Sequence, residues 1–252
     1  VNYYFEGGKL IFSSEVKALL AHKFKAALNR TALNLYFRFL YVPAPLTMWE
    51  GIKKFSAGHF GVLSGQTFEI KPFWELQEGE YLKSEEEAKR LVREKFFAAV
   101  KRQLVSDRPL GLFLSGGIDS TAILAAMSRE LGPGVKTFSV GFETPVQGER
   151  YNADFLLARK SAEHFKAKHH ELVTSGRHLK ENFEKIIWHL DEPISNPIQG
   201  AAYLLSEFAR KEVVVAFGGD GGDELFGGYG RYWYNFQIGT FGPFLRPFLS
   251  DN

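Results

Sequence analysis

The sequence predicts an α/β chain, a parallel sheet with helices on both faces, preceded by a partial α+β domain. Three observations carry that prediction. After Pro109, short apolar runs alternate with helix-length segments, the order a parallel sheet needs. Two of those runs end in glycine clusters, at Gly116-Gly117 and Gly218-Gly219. Before Trp74, by contrast, β-rich runs are joined in pairs by tight Gly-containing turns, the mark of antiparallel hairpins.

The elements follow in order. Asn2–Phe5 and Leu10–Ser13 flank a Glu6-Gly7-Gly8-Lys9 turn. Glu15–Ala21 reads as a short helix. Thr31 is the expected N-cap of a second helix reaching Tyr41, stopped by Pro43 and Pro45. Ser56–Leu63 and Thr67–Ile70 form another hairpin around Ser64-Gly65-Gln66. Gln77 to Lys83 is a polar linker, so the expected division is 1–76, linker 77–83 and 84–252. Ser84-Glu85-Glu86-Glu87 is a capping box opening a helix with Ala88, Leu91, Val92, Phe96, Ala99, Val100 and Leu104 on one face. The alternating part then reads strand Leu110–Leu114, helix Asp119–Leu131, strand Val135–Phe142, helix Asn152–Lys166 and strand His170–Thr174. Helices His178–Leu190 and Ile198–Lys211 and a fourth strand, Glu212–Phe217, complete it.

Composition narrows the function. The 252 residues are 45% hydrophobic and 24% charged, a core-forming balance. Up to Leu76 there are nine basic and five acidic residues, and after it 22 and 24, so neither part has a nucleic-acid binder's basic excess. With no cysteine, the chain can form no disulfide, thiolate zinc site or Cys nucleophile. No apolar run approaches the ~18 residues that span a bilayer, and no signal segment opens the chain, so a cytoplasmic location is expected. The chain opens at Val1 rather than Met, and both ends are expected to continue into a longer protein. A tail rich in Tyr232, Trp233, Tyr234, Phe236, Phe241, Phe244 and Phe248 is expected to need a covering partner, and a homo-oligomer is compatible with it.

The chemistry concentrates in the glycine clusters. In Leu114-Ser115-Gly116-Gly117-Ile118-Asp119-Ser120-Thr121, consecutive glycines let several N–H groups converge beside a helix N-terminus, with hydroxyls from Ser115, Ser120 and Thr121. That is a phosphate or pyrophosphate cradle. It is not a Walker loop, because Gly117 stands where Lys is required. Gly218-Gly219-Asp220-Gly221-Gly222-Asp223-Glu224-Leu225-Phe226-Gly227-Gly228-Tyr229 follows the fourth strand, at the sheet edge where open α/β folds bind ligands. If that strand neighbours Leu110–Leu114, Asp119 and Asp223 would share a divalent ion, with Mg²⁺ the hard cation suited to phosphates.

These two motifs resemble the asparagine synthetase family within the ATP-pyrophosphatase (adenine nucleotide alpha hydrolase-like) superfamily. Phe138-Ser139-Val140-Gly141-Phe142, Lys168-His169-His170-Glu171 and Asp191-Glu192-Pro193-Ile194-Ser195-Asn196-Pro197 agree with it. So do Phe12-Ser13-Ser14-Glu15-Val16-Lys17-Ala18-Leu19-Leu20 and Tyr41-Val42-Pro43-Ala44-Pro45, which look like the end of the family's glutaminase domain. The resemblance implies an enzyme that adenylates a carboxylate, aspartate or another, with Mg-ATP. Ammonia drawn from glutamine then displaces AMP. It implies that Ser115, Gly116, Gly117, Asp119 and Ser120 hold phosphates, that main chain at Leu114, Val140, Gly141, Gly218 and Gly219 holds adenosine, and that Asp119 and Asp223 bind Mg²⁺. Asp220 falls where the synthetases place a Glu needed for acyl-adenylate formation, and Gly218 where many have Ser.

The departures point two ways. The family's glutaminase nucleophile is a cysteine, which this chain lacks. The shorter Asp220 resembles the acid of amidotransferase relatives, so the alternatives are a related amidotransferase acting on another carboxylate, of the exopolysaccharide, lasso-peptide or β-lactam synthetase type, and a non-catalytic nucleotide-binding fragment. Asp191, Ser195 and Asn196 read either as a substrate-positioning loop or as plain loop, and both readings stay open. A histidine metal site is disfavoured, since His169 and His170 on one strand point to opposite faces.

Overall fold

The computed structural model describes residues 1–22, 27–77, 79, 82, 84–144 and 151–237. Phe241, Phe244 and Phe248 and part of the expected linker lie outside them. The chain forms two compact units: Val1–Glu85 with Gly176–Leu204, and Glu86–Ser175 with Leu205–Asn252. One edge falls beside the expected linker. Gly176–Leu204, expected with the later part of the chain, groups with the earlier part instead.

In the first unit β1 (Asn2–Glu6) and β2 (Lys9–Ser13) pair antiparallel from Asn2↔Ser13 to Glu6↔Lys9. Gly7 and Gly8 both take positive φ, +56° and +76°, the twist a two-residue hairpin loop requires. α1 (Val16–Leu20) follows, with Val16 and Leu19 fully buried against Ile52. α2 (Arg30–Phe39) is capped by Asn29, whose side chain accepts from Ala32 N–H at 3.0 Å. Thr31 was the expected cap. It sits inside the first turn because Asn29, two residues earlier, has the extended backbone that a cap needs. β3 (Ile52–Lys54) completes the sheet order β2-β1-β3, and at three residues it carries no periodicity to read. β4 (His59–Ser64) and β5 (Thr67–Pro72) form the second hairpin.

The second unit holds the parallel sheet. α3 (Glu85–Gln103) starts one residue after Ser84. β6 (Leu110–Phe113), α4 (Ile118–Leu131), β7 (Lys136–Phe142), α5 (Ala153–His164) and β8 (Lys168–Thr174) then alternate as expected. In the first unit, α6 (Gly176–Glu181) and α7 (Phe183–Leu190) replace the single expected helix. Asn182 breaks it: its side chain donates to the His178 carbonyl at 3.0 Å, competing with the helical ladder. α8 (Ile198–Ala209) precedes β9 (Val215–Phe217), which starts later than expected because Glu212 and Val213 N–H close the last turn onto the Ala209 carbonyl. α9 (Gly222–Phe226) and a helix over 230–237 complete the described chain.

The sheet order is β8-β7-β6-β9, and every pairing is parallel. One face packs Leu112 and Leu114 against Val100, Leu124, Met127, Ala158 and Ala162 from α3, α4 and α5. The other packs Phe138 against Leu205, Ala209 and Val213. Helices therefore cover both faces, and each fully buried Leu or Met contributes ~1.5–3 kcal/mol. Among the described residues no helix is long and apolar enough to cross a membrane.

The sheet also buries a histidine. His169 Nδ1 lies 2.8 Å from Thr137 Oγ1, beside the bidentate Arg159–Glu171 pair, while His170 stacks on Phe138 at 5.0 Å on the opposite face. Burial holds the His169 pKa below its usual value, outweighing the nearby Glu171 carboxylate. The folded state thus resists a proton that the unfolded chain accepts near pH 6.5. This contribution to stability is present above about pH 6.5 and is lost as pH falls below it, at up to ~1.4 kcal/mol per pH unit. The thermal midpoint should drop between pH 7.5 and 5.5, and His169→Asn should make that drop shallower. Equal pH dependence in the two proteins would refute the assignment.

Candidate functional site

The two glycine clusters meet because β6 and β9 are neighbours. Their register runs from Leu110↔Val215 to Leu112↔Phe217, so both chains leave the sheet at the same edge. Leu114 extends β6 by one bond, its N–H donating to the Phe138 carbonyl at 2.9 Å. Its carbonyl accepts from Ser139 Oγ at 2.5 Å, which accounts for a buried Ser between Phe138 and Val140.

The first loop is built around a buried hydroxyl. Ser120 is 3% exposed, and its Oγ lies 3.0 Å from Ser115 Oγ, accepts from Ser115 N–H at 3.3 Å and reaches the Gly117 carbonyl at 3.3 Å. It shapes the turn from inside, whereas Ser115 and Gly117 are exposed. Thr121 Oγ1 is turned to Ser161 at 3.4 Å. Gly116 has φ +79°, and a Cβ there would stand 2.5 Å from Ala158 N and 2.6 Å from the Asp154 carbonyl oxygen. Glycine is required for conformation and for the close approach of α5's backbone. Gly117 takes the N-cap position of α4, which starts one residue before the expected Asp119, and Asp119 lies in its first turn.

The second loop presses on the first. A Cβ on Gly219 would lie 3.0 Å from Ser120 N, and one on Gly222 would lie 2.5 Å from the Asp119 carboxyl carbon. The Asp119 carboxylate therefore rests on the backbone next to Asp223. The Asp220 carboxylate folds back to within 2.6 Å of a Cβ position on Gly218. The Asp223 carboxylate fills the space where a Gly228 side chain would begin. A cleft of about 1270 Å³ opens beside these loops, walled by Gly117, Asp119, Gly218, Gly219, Asp220 and Asp223 and by Lys89, Arg93 and Phe96 of α3.

The remaining sequence candidates lie elsewhere. Leu114, Ser115, Gly116, Ser120, Val140 and Gly141 are not part of that wall. Val140 lies on β7 past the last β6 partner, with its polar groups facing the same way as the Phe138 carbonyl. Gly141 is buried, 3.1 Å from the Phe155 ring by its Cβ position. Asp191, Ser195 and Asn196 belong to the first unit. The Asp191 carboxylate accepts from the N–H groups of Val16 and Lys17, so it caps α1, whose Glu15 offers no side-chain cap. Ser195 N–H donates to the Leu40 carbonyl at 2.8 Å, and Asn196 Oδ1 accepts from Ile198 N–H at 3.2 Å. Glu192, the next residue of that motif, accepts from Met48 N–H and pairs with Lys54 at 2.6 Å.

Among the described residues no group of three or more His, Cys, Asp or Glu could hold a metal. The donor set, two carboxylates flanking a glycine cradle, suits a hard cation that takes its other oxygens from phosphate and water. The glycine requirement itself is testable. Gly132, at φ +80° and ψ −165°, has open space around it, so Gly132→Ala measures backbone strain alone, at ~1–3 kcal/mol. Gly116→Ala should cost ~2 kcal/mol more in chemical denaturation, from the clash with α5. Equal costs would show that α5 does not press on the loop.

The chain matches two family models: the glutamine amidotransferase domain over residues 2–74 and asparagine synthase over residues 91–242. Asparagine synthetase (glutamine-hydrolyzing) 1 of Bacillus subtilis is 33% identical over 232 residues, 89% of this chain and 35% of that protein. Asparagine synthetase (glutamine-hydrolyzing) 3 of the same organism is 32% identical over 255 residues, 96% of this chain and 41% of that protein. The chain thus spans less than half the length of these curated relatives. Its two abutting glycine loops fall within the longer match, and the chain belongs to the asparagine synthase family.

Proposed function

We propose that this chain carries the nucleotide-binding part of an ATP-dependent amide-forming ligase. The observation that carries the reading is the packing of Asp119 on Gly222, which puts two glycine loops and the acids Asp119, Asp220 and Asp223 at one sheet edge. Ser115, Gly116 and Gly117, shaped by buried Ser120, offer N–H and hydroxyl donors to the phosphates of ATP. Main chain at Leu114, Val140, Gly141, Gly218 and Gly219 borders the adenosine. Asp119 and Asp223 would hold Mg²⁺, which supplies charge neutralisation for departing pyrophosphate. A substrate carboxylate oxygen attacks the α-phosphorus, and the bond to pyrophosphate breaks. Ammonia then attacks the activated carbonyl carbon, AMP leaves with the bonding electrons, the nitrogen releases a proton to solvent, and the amide forms. Asp220 is the acid assigned to the first of these steps, formation of the acyl-adenylate.

Aspartate is the acceptor in the first reading. A second reading, another carboxylate, is favoured by one observation. The short Asp220 side chain occupies the space over Gly218, where a Ser would crowd it. The unit made of Val1–Glu85 and Gly176–Leu204 corresponds in its earlier segment to the glutaminase-type match.

Two measurements test the proposal. Asp119→Asn should weaken Mg-ATP at least tenfold, the scale of one lost charged contact. It should change metal-free ATP far less, because the cradle amides remain. Equal loss in calorimetry for both forms would refute the metal assignment. The 252-residue chain, which has no cysteine, should release no ammonia from glutamine above a buffer control. Turnover that depends on the chain would overturn that reading.

A further inference from the structure

Asn152 makes an unusual pair of contacts. Its Oδ1 accepts from Phe142 N–H at 2.8 Å, and its Nδ2 donates to the Phe142 carbonyl at 2.9 Å. One side chain thereby satisfies both polar groups of one backbone residue, as a neighbouring strand would. Phe142 is the last residue of β7, four positions beyond the last β6 pair at Phe113↔Phe138. Backbone groups alternate along a strand, so those of Phe138, Val140 and Phe142 face the side where β6 has ended. Glu143 N–H, on the opposite alternation, bonds the Thr174 carbonyl at 2.8 Å, which agrees with this phase. Asn152 therefore stands in for the missing strand at the end of β7.

The same residue begins α5. Its carbonyl accepts from Leu156 N–H at 2.9 Å, the first bond of that helix. Over the next turn, the Asp154 carbonyl and Ala158 N–H form the floor beneath Gly116. Further along, Arg159 ties α5 to β8 through a two-bond grip on Glu171, at 2.8 and 2.9 Å. Asn152 thus ties the end of β7, beyond Val140, by two hydrogen bonds to the helix on which the Gly116 turn rests.

We infer that Asn152 is a positioning residue for the nucleotide: it holds the adenosine-facing end of β7 at a set distance from the phosphate turn. This rests on the reading of the site as an ATP site. A residue that sets a separation between two subsites affects a ligand spanning both more than a ligand occupying one. Asn152→Ala should therefore weaken Mg-ATP roughly tenfold while changing Mg-pyrophosphate by less than about threefold. Asn152→Asp keeps the acceptor for Phe142 N–H and loses the donor, so it should recover part of the Mg-ATP affinity. All affinities are measured by calorimetry on the full 252-residue chain, well below each variant's thermal midpoint, so that lost stability alone leaves them unchanged. If Asn152→Ala does not fold, Asn152→Asp against wild type carries the test, with a smaller loss confined to Mg-ATP. Unchanged Mg-ATP affinity, or equal loss of Mg-ATP and Mg-pyrophosphate, would overturn the inference while leaving the ATP reading intact. A wild-type chain that binds neither ligand would overturn both.

Discussion

Pairing of β6 with β9 is the constraint on which the candidate site depends. The two strands are separated by about a hundred residues of sequence, and neither glycine cluster has a partner until they are adjacent. The pairing also needs room behind it. Gly111, at the centre of β6, has the Phe138 ring 2.9 Å and Val213 3.1 Å from its Cβ position, so a side chain there would push apart the core that seats β9. A glycine inside a strand usually weakens it. Here it lets a large aromatic ring close the sheet's second face.

With the strands in register, the site is assembled largely from backbone. Gly116 lies on the backbone of α5, Gly219 on the start of α4, and Gly222 on the Asp119 carboxylate. The Gly116 contact excludes any side chain, and the other two bring N–H groups or acids closer than most side chains approach. Ser120 and Ser139 are the buried side chains that keep this arrangement satisfied, one inside the turn and one against the Leu114 carbonyl. A loop held in this way is preorganised, and little ordering is left to oppose ligand binding.

The first unit uses acids for a different purpose. Asp191, at φ +65°, turns its carboxylate onto the open N-terminus of α1, and Glu192 bridges Met48 N–H and Lys54. These bonds join residues at least 138 positions apart in sequence. They account for why Gly176–Leu204 groups with Val1–Glu85 rather than with the flanking helices and strands. A carboxylate at a helix start satisfies orphan N–H groups and meets the positive end of the dipole, so the Asp191 link is favourable even at a partly exposed surface.

From its sequence, this protein determined its alternating β and α elements, its two hairpins and the identity of both glycine loops. Those features rest on local chemistry: apolar period, capping oxygens and residues tolerant of positive φ. Tertiary structure decided the rest. Asn29 rather than Thr31 caps α2 because the chain enters the helix extended at that residue. Asp191 became a helix cap because α1, far away in sequence, presented bare N–H groups to it. The partners of Asn152 and Glu192 carried no local signal, since a polar residue near a helix start or loop reads as solvent-facing until a distant backbone group lies within bonding reach. Which carboxylate faces which glycine depends on strand order, and strand order is set by packing across the whole sheet rather than by any one segment.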